Sequence, residues 1–286
     1  MSAPKPVISN VFESSASDRL ASFMTQQGIA SKEVIPLTPD ASTRKYYRIG
    51  WKKRTAIAAV YAEPFDPEFH PYLDITRLFL DCDIPVPEIY EVDGTAGIIV
   101  QEDLGDKQLF QVYEDEPEEQ CDKYKEEAVV LIAKIQKATA RAYETDSISS
   151  RLAFDEAKLG WELDFFFDHY FGSLRKEELR HAEIAELKAE LNDIAAELAA
   201  VPRVLCHRDY HASNLMIDSK KRIRVVDHQD ARMGPASYDL VSFLLDRQPC
   251  PPSLAELRAH RLFFLEERRL LGLPPIDPDD FALEFR

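Results

Sequence analysis

The chain has 286 residues, 45% of them hydrophobic, enough to bury a sizeable core as one large domain or as two lobes sharing a cleft. Its 51 acidic and 35 basic side chains give a formal charge of −16, which repels nucleic-acid phosphates and anionic membrane surfaces and suits either a cationic small substrate or simple solubility. The cysteines Cys82, Cys121, Cys206 and Cys250 form no C-x-x-C pair and no Cys/His ligand spacing, so they read as buried thiols of a reducing compartment. No apolar run has the length of a signal peptide or a membrane span, and a cytoplasmic location is expected.

In chain order, "SDRLASFMTQQG" places Leu20, Phe23 and Met24 at helical spacing and stops on Gly28. "KYYRIG" and "RTAIAAVYA", separated by "WKK", read as a hairpin. "FHPYLDITRLFLDC" returns to helical spacing, and "IPVPEIYEVDGTAGIIVQEDLGD" supplies a strand, a turn at Asp93 and Gly94, and a second strand over residues 98–101. After "EDLGD" long helical patterns dominate, so a lobe boundary is expected near residues 103–106. Tyr124, Ala128, Leu131, Ile135, Ala138 and Ala142 make one face of the first of these helices. "WELDFFFDHYFG" reads as a packing helix, and "EIAELKAELNDIAAELAA" as another amphipathic one. The closing "IDPDDFALEFR" offers aspartates suited to a helix N-terminus and then stops without a terminating residue.

Chemistry concentrates in "VLCHRDYHASNLMIDSKKRIRVVDHQD", residues 204–230. An apolar run ends in a polar loop, and two short strands follow, joined by "SKKR". This layout puts Asp209 in the loop, Asn214 just before the first strand and Asp227 at the end of the second. A hairpin brings Asn214 and Asp227 to one end, where their oxygens converge on a single cation. Such ligands suit Mg²⁺, which takes one or two carboxylates and completes its shell with water and phosphate oxygens. Asp209 is left for a nucleophile, and the set fits phosphoryl transfer, where catalysis is mostly positioning and charge neutralisation. Singly, each residue is as well explained by capping a turn or ending a strand. Together they match the kinase catalytic loop H-R-D-x-x-x-x-N literally, through His207, Arg208, Asp209 and Asn214.

On "CHRDYHASNLM", "RVVDHQDARMGPASYDLVSFL" and "IIVQEDLGD", the chain resembles the aminoglycoside phosphotransferase/choline kinase superfamily. "LTPDASTRKYYRI" and "WELDFFFDHYF" look more narrowly like bacterial kinases that phosphorylate N-acetylmuramate and N-acetylglucosamine at the anomeric position. The resemblance runs over residues 37–245. It implies an α+β, bilobal, protein-kinase-like fold: a β-rich nucleotide-binding lobe, residues 1–104, and a mainly helical lobe, residues 105–286, carrying the catalytic β-hairpin. It implies ATP and Mg²⁺ as cofactors and a small-molecule acceptor, an amino sugar first and an aminoglycoside or choline-type cation second. Neither nucleic acid nor membrane is an expected partner, and oligomeric state is left open.

By the same resemblance Asp209 deprotonates the attacking hydroxyl, while Asn214 and Asp227 hold Mg²⁺ on the nucleotide. His207, His211 and Asp239 support the loop, and Glu162 reaches toward the acceptor. Ser42, Thr43 and Arg44 occupy the place of the phosphate-covering turn, without its glycines, and backbone groups near Gln101, Glu102 and Asp103 hydrogen-bond adenine at the hinge. Two departures stand out. The usual D-F-G reads Asp227, His228, Gln229, and the third strand, "TAIAAVYAEP", has no lysine for the nucleotide phosphates. Either Arg44 or Arg48 supplies that charge, or the protein is a weakened kinase or a nucleotide-binding scaffold.

Overall fold

The computed structural model describes residues 15–29, 34–37, 44–176, 178–246 and 252–285. Ser42, Thr43 and Cys250 lie outside them; Cys82, Cys121 and Cys206 are free thiols. The N-terminal part comprises α1 (Ala16–Gln26), β1 (Val34–Pro36), β2 (Lys45–Trp51), β3 (Arg54–Val60), α2 (Pro71–Asp81), β4 (Ile89–Asp93) and β5 (Ile98–Glu102). The helices α3 (Leu109–Asp115), α4 (Glu118–Lys137), α5 (Thr139–Glu144), α6 (Ile148–Arg151), α7 (Glu156–Phe167) and α8 (His181–Ala200) follow. Next come β6 (Arg203–Cys206), β7 (Leu215–Ile217), β8 (Ile223–Val225), β9 (Arg232–Pro235), α9 (Tyr238–Leu245), α10 (Leu254–Leu270) and α11 (Pro278–Leu283).

The five N-terminal strands form one antiparallel sheet in the order β1-β2-β3-β5-β4. Alternation along the strands separates its two faces. Ala56, Ala58 and Val60 of β3, with Tyr47, Ile49 and Trp51 of β2, pack under Leu20, Phe23 and Met24 of α1, Phe23 stacking on Trp51. Burying each of these large apolar side chains contributes about 1.5–3 kcal/mol. The alanines keep β3 thin enough for α1 to lie close. The residues between them, Thr55, Ile57 and Ala59, therefore turn to the opposite face, over the rest of the molecule. Ser15 caps α1 reciprocally with Asp18, and Gly28, at φ +69°, ends it.

The helical part is built on α4. Tyr124, Ala128, Leu131, Ile135, Ala138 and Ala142 are all buried, as their spacing predicts, although the chain breaks after Lys137 so that Ala142 belongs to α5. Ile75, Leu78 and Phe79 of α2 join this same core, so α2 ties the sheet to the helical part. β6 pairs with β9, and β7 with β8 through Leu215↔Val225 and Ile217↔Ile223, giving the expected hairpin. Asp277 caps α11, accepting from the backbone N–H groups of Asp279 and Asp280.

One expectation fails. "WELDFFFDHYFG" is not a buried packing helix: Trp161 is 57% and Phe165 53% exposed. It rests on one side only, where Leu159, Leu163 and Ala195 meet in a small cluster between α7 and α8. Among the described residues no helix is long and apolar enough to cross a membrane.

Candidate active site

Asp209 lies in the loop between β6 and β7, and a buried brace sets that loop. Asp239, at the start of α9, accepts the backbone N–H of His207 at 2.7 Å and of Arg208 at 3.0 Å. Burial pushes its carboxyl up to about 7, against the pull of those two donors. His207 is fully buried, and its Nε2 donates to the Val226 carbonyl at 3.0 Å. Burial lowers its pKa to about 4, so a neutral imidazole staples the Asp209 loop to the residue preceding Asp227. Asp209 itself is raised by burial, with Arg208 opposing and Asp227 and Asp230 adding to the shift.

Asn214 ends a short 3₁₀ turn, Ala212–Asn214, just before β7. Its Nδ2 donates to the Asp209 carbonyl at 2.9 Å, with the His211 ring nitrogen at 3.3 Å, and its carbonyl accepts from Val226 at 3.0 Å. The amide N–H groups are thus spent on the loop, which leaves Oδ1 as the atom for a cation. Asp227 follows β8 in the left-handed region at φ +62°, a strain for a residue with a Cβ, and its Oδ1 accepts from Gln229 at 2.9 Å. His228 takes the aromatic place of D-F-G. It is buried, stacks on Tyr72 with ring centroids 4.8 Å apart, and its Nε2 lies 2.7 Å from Thr76 Oγ1. Thr76 already donates to the Tyr72 carbonyl, so it accepts from His228. That contact anchors the Asp227 segment to α2.

Asn214 and Asp227 line a cavity of about 770 Å³, together with Arg44, Tyr46, Ala59, Gln101, Gln108 and Gln229. An all-oxygen pair on one cavity wall, one carboxylate and one amide, fits Mg²⁺. No group of three or more His, Cys, Asp or Glu that could hold a metal ion occurs among the described residues. Position bears on the missing third-strand lysine. Ala59 of β3 lines the cavity, and Arg44, just before β2, enters the same space, 3.5 Å from Asp227 Oδ1. Its guanidinium lies 5.7 Å from the Tyr61 ring centroid and 5.8 Å from that of Tyr46. Burial works against its charge, but Tyr46, Tyr61 and Asp227 outweigh it and raise its pKa. Arg48 does not line this cavity and is held elsewhere, by Asp103 at 2.8 and 3.1 Å and by Asp106 at 2.7 and 3.1 Å.

The hinge residues divide. Gln101 faces the cavity, with Oε1 accepting from Tyr72 at 2.6 Å. Glu102 does not offer its side chain: the carboxylate is paired with Arg224, and its N–H goes to the Glu88 carbonyl. The Asp103 carboxylate is spent on Arg48 and on the Gly105 N–H. Glu162 stands beside the catalytic loop, 3.2 Å from Lys158, 3.5 Å from the Tyr238 hydroxyl and 4.0 Å from Arg208. Tyr46, Tyr61, Tyr72 and His70 are cavity residues that motif reasoning missed. The alternation of β2 and β3 was the signal that could have found the first two.

The model of the phosphotransferase enzyme family matches residues 33–272. The chain belongs to that family. Among curated members, the N-acetylmuramate/N-acetylglucosamine kinase of Pseudomonas aeruginosa is 30% identical over 214 residues, covering 75% of this chain and 60% of the relative. The kinase of the same name from Neisseria meningitidis is 29% identical over 208 residues, 72% of this chain and 59% of the relative. The matched region thus spans about three fifths of those relatives' length. Solved phosphotransferases share the fold. Macrolide 2'-phosphotransferase MphH from Brachybacterium faecium superposes with a TM-score of 0.61 at 14% identity, covering 94% of this chain and 87% of that one. ADP-bound aminoglycoside phosphotransferase APH(2'')-Ib gives 0.58 at 15% identity, over 89% and 86%. The protein-kinase-like architecture expected from the motifs is therefore the one found.

Proposed function

We propose that this phosphotransferase-family chain is an ATP- and Mg²⁺-dependent sugar kinase that phosphorylates the anomeric hydroxyl of N-acetylmuramate or N-acetylglucosamine, serving cell-wall recycling in the cytoplasm. The observation that carries the reading is the convergence of Arg44, Asn214 and Asp227 on one cavity beside Asp209. The names of the curated relatives point to the acceptor.

In this reading the nucleotide sits between the N-terminal lobe, residues 1–104, and the helical lobe, residues 105–286, with adenine against the backbone of residues 101–103. Asn214 Oδ1 and the Asp227 carboxylate would hold Mg²⁺, which would neutralise phosphate charge when bound. Arg44 supplies the planar cation that other kinases take from the third strand, giving up Asp227 for the phosphates. Its sequence neighbours Ser42 and Thr43, outside the described residues, are assigned to the phosphates as well. Asp209 accepts the proton of the sugar hydroxyl as its oxygen bonds to the γ-phosphorus; the bond to the β–γ bridging oxygen breaks, and ADP leaves. A general base needs a pKa near the working range, and the raised Asp209 moves in that direction. His207, His211 and Asp239 keep the loop in place, and Glu162 borders the acceptor side.

A coupled ADP-release assay over amino sugars, aminoglycosides and choline tests the assignment. Phosphorylation of either N-acetylated sugar, abolished by Asp209→Asn with ATP binding retained, is the expected result. ATP binding with no turnover of either sugar rules out the acceptor assignment.

A further inference from the structure

Arg208 is the member of the catalytic loop whose side chain neither the brace nor the metal site uses. It sits at φ +86°, a left-handed conformation that strains any residue with a Cβ and that glycine adopts freely. A strained backbone at a functional site is a reason to ask what the side chain does. Its side chain is 24% exposed, and the guanidinium is ringed by Asp230 at 3.3 Å and by Asp209 and Glu162, each at 4.0 Å. Among the described residues none of its guanidinium N–H groups makes a hydrogen bond, so a five-donor planar fork is held by charge alone.

Two of these three acidic neighbours do not depend on it. Asp230 has Arg232 at 3.7 Å, and Glu162 has Lys158 at 3.2 Å and the Tyr238 hydroxyl at 3.5 Å. Lys158 is itself committed to Glu162 and to the face of Trp161, 4.0 Å from the ring centroid. Arg208 is thus the cation on this side of Asp209 that can change partners without leaving Asp230 or Glu162 alone, while Asp209 turns to the guest hydroxyl. A guest hydroxyl hydrogen-bonded to Asp209 is within one sugar ring of it. The two proposed acceptors differ chemically by a carboxylate on a short ether-linked arm, and a guanidinium fork matches a carboxylate in two parallel hydrogen bonds.

We propose that Arg208 is a specificity-determining residue that binds the carboxylate of an acidic amino sugar and so sets the preference between acidic and neutral acceptors. This rests on the sugar-kinase reading above. Measuring kcat/KM on N-acetylmuramate and N-acetylglucosamine for wild type, Arg208→Gln, Arg208→Lys and Arg208→Gly tests it. The acidic-over-neutral ratio is expected to fall at least tenfold in the glutamine and glycine variants and to be partly kept by lysine. Arg208→Gly relieves the backbone strain, so its melting temperature should equal or exceed that of wild type, which separates lost selectivity from lost folding. Equal loss on both sugars overturns the inference and leaves the kinase reading standing. No turnover of either sugar by the wild type overturns that reading, and this inference with it.

Discussion

Replacing Arg224 by methionine should unfasten the hinge from the catalytic hairpin. Arg224, on β8, bonds both carboxylate oxygens of Glu102, at 2.9 and 2.5 Å, and the Val86 carbonyl at 2.8 Å. The side chains are 9% and 24% exposed, so little solvent screens the pair. Methionine keeps the aliphatic stem and removes these charge-assisted donors, leaving Glu102 with the Glu88 N–H at 3.2 Å. Stranding one partner of a buried pair costs about 3–5 kcal/mol, which for a chain of this size lowers the melting temperature by roughly 6–15 °C. Burial raises the Glu102 pKa, but Arg224 and the Glu88 N–H outweigh it, so the net shift is downward from 4.5. A depressed carboxyl contributes stability above its unfolded value and loses it as the pH falls through the folded value. Urea titrations at neutral pH and at decreasing acidic pH therefore give two readouts, a lower stability and a loss of that acid-side slope. Removing Glu102 as well should recover part of the deficit, as coupled neighbours do. A variant within about 1 kcal/mol of wild type at neutral pH, below the penalty for breaking a buried pair, refutes the structural role assigned here.

Arg44→Ala should raise the KM for ATP about 10- to 100-fold with a smaller effect on the sugar KM, the loss expected for a charge-assisted contact; adding Ala59→Lys should recover part of it in steady-state kinetics. His207 is held neutral by burial with a pKa lowered to about 4, so its contribution is complete above the unfolded value near 6.5 and fades toward pH 4. The stability gap between wild type and His207→Gln should shrink by about 3 kcal/mol on acidification from pH 7 to 4, read by urea titration. Asp227→Asn, or chelation of the metal, should cost about 10²-fold or more in kcat; for the variant, calorimetry should show nucleotide binding that no longer responds to Mg²⁺.

What the sequence made legible follows from local periodicity. The helical face of Tyr124 to Ala142 and the hairpin carrying Asn214 and Asp227 are encoded within a few turns or strands, and both form as read. The exposed face of α7 was not legible. A run of aromatics says that a surface is apolar, not whether a partner covers it, and the small α7–α8 cluster accounts only for the side bearing Leu159 and Leu163. What the hinge side chains do was not legible for a related reason: long-range cations, Arg224 at a sequence distance of 122 and Arg48 at 55, claim the carboxylates of Glu102 and Asp103.

The choice between Arg44 and Arg48 shows where strand geometry has to finish an argument that sequence begins. Residues 44, 46 and 48 share a parity, so both arginines belong to the cleft face and alternation alone cannot separate them. Four residues of strand place them roughly 13 Å apart. One end of that interval meets Asp227, and the other meets Asp103 and Asp106. Register then explains why an arginine suffices. Tyr46 is opposite Ala59 in the β2–β3 ladder, so Arg44 starts from the neighbouring strand and must cross about one strand spacing, 4.8 Å, to reach the place a lysine at 59 would fill. Its long side chain spans that gap, and Tyr46 and Tyr61 flank the guanidinium. The lysine-free strand therefore argues for a cation relocated by one strand, not for a site without one, and the paired Arg44 and Ala59 substitutions are where that distinction becomes measurable.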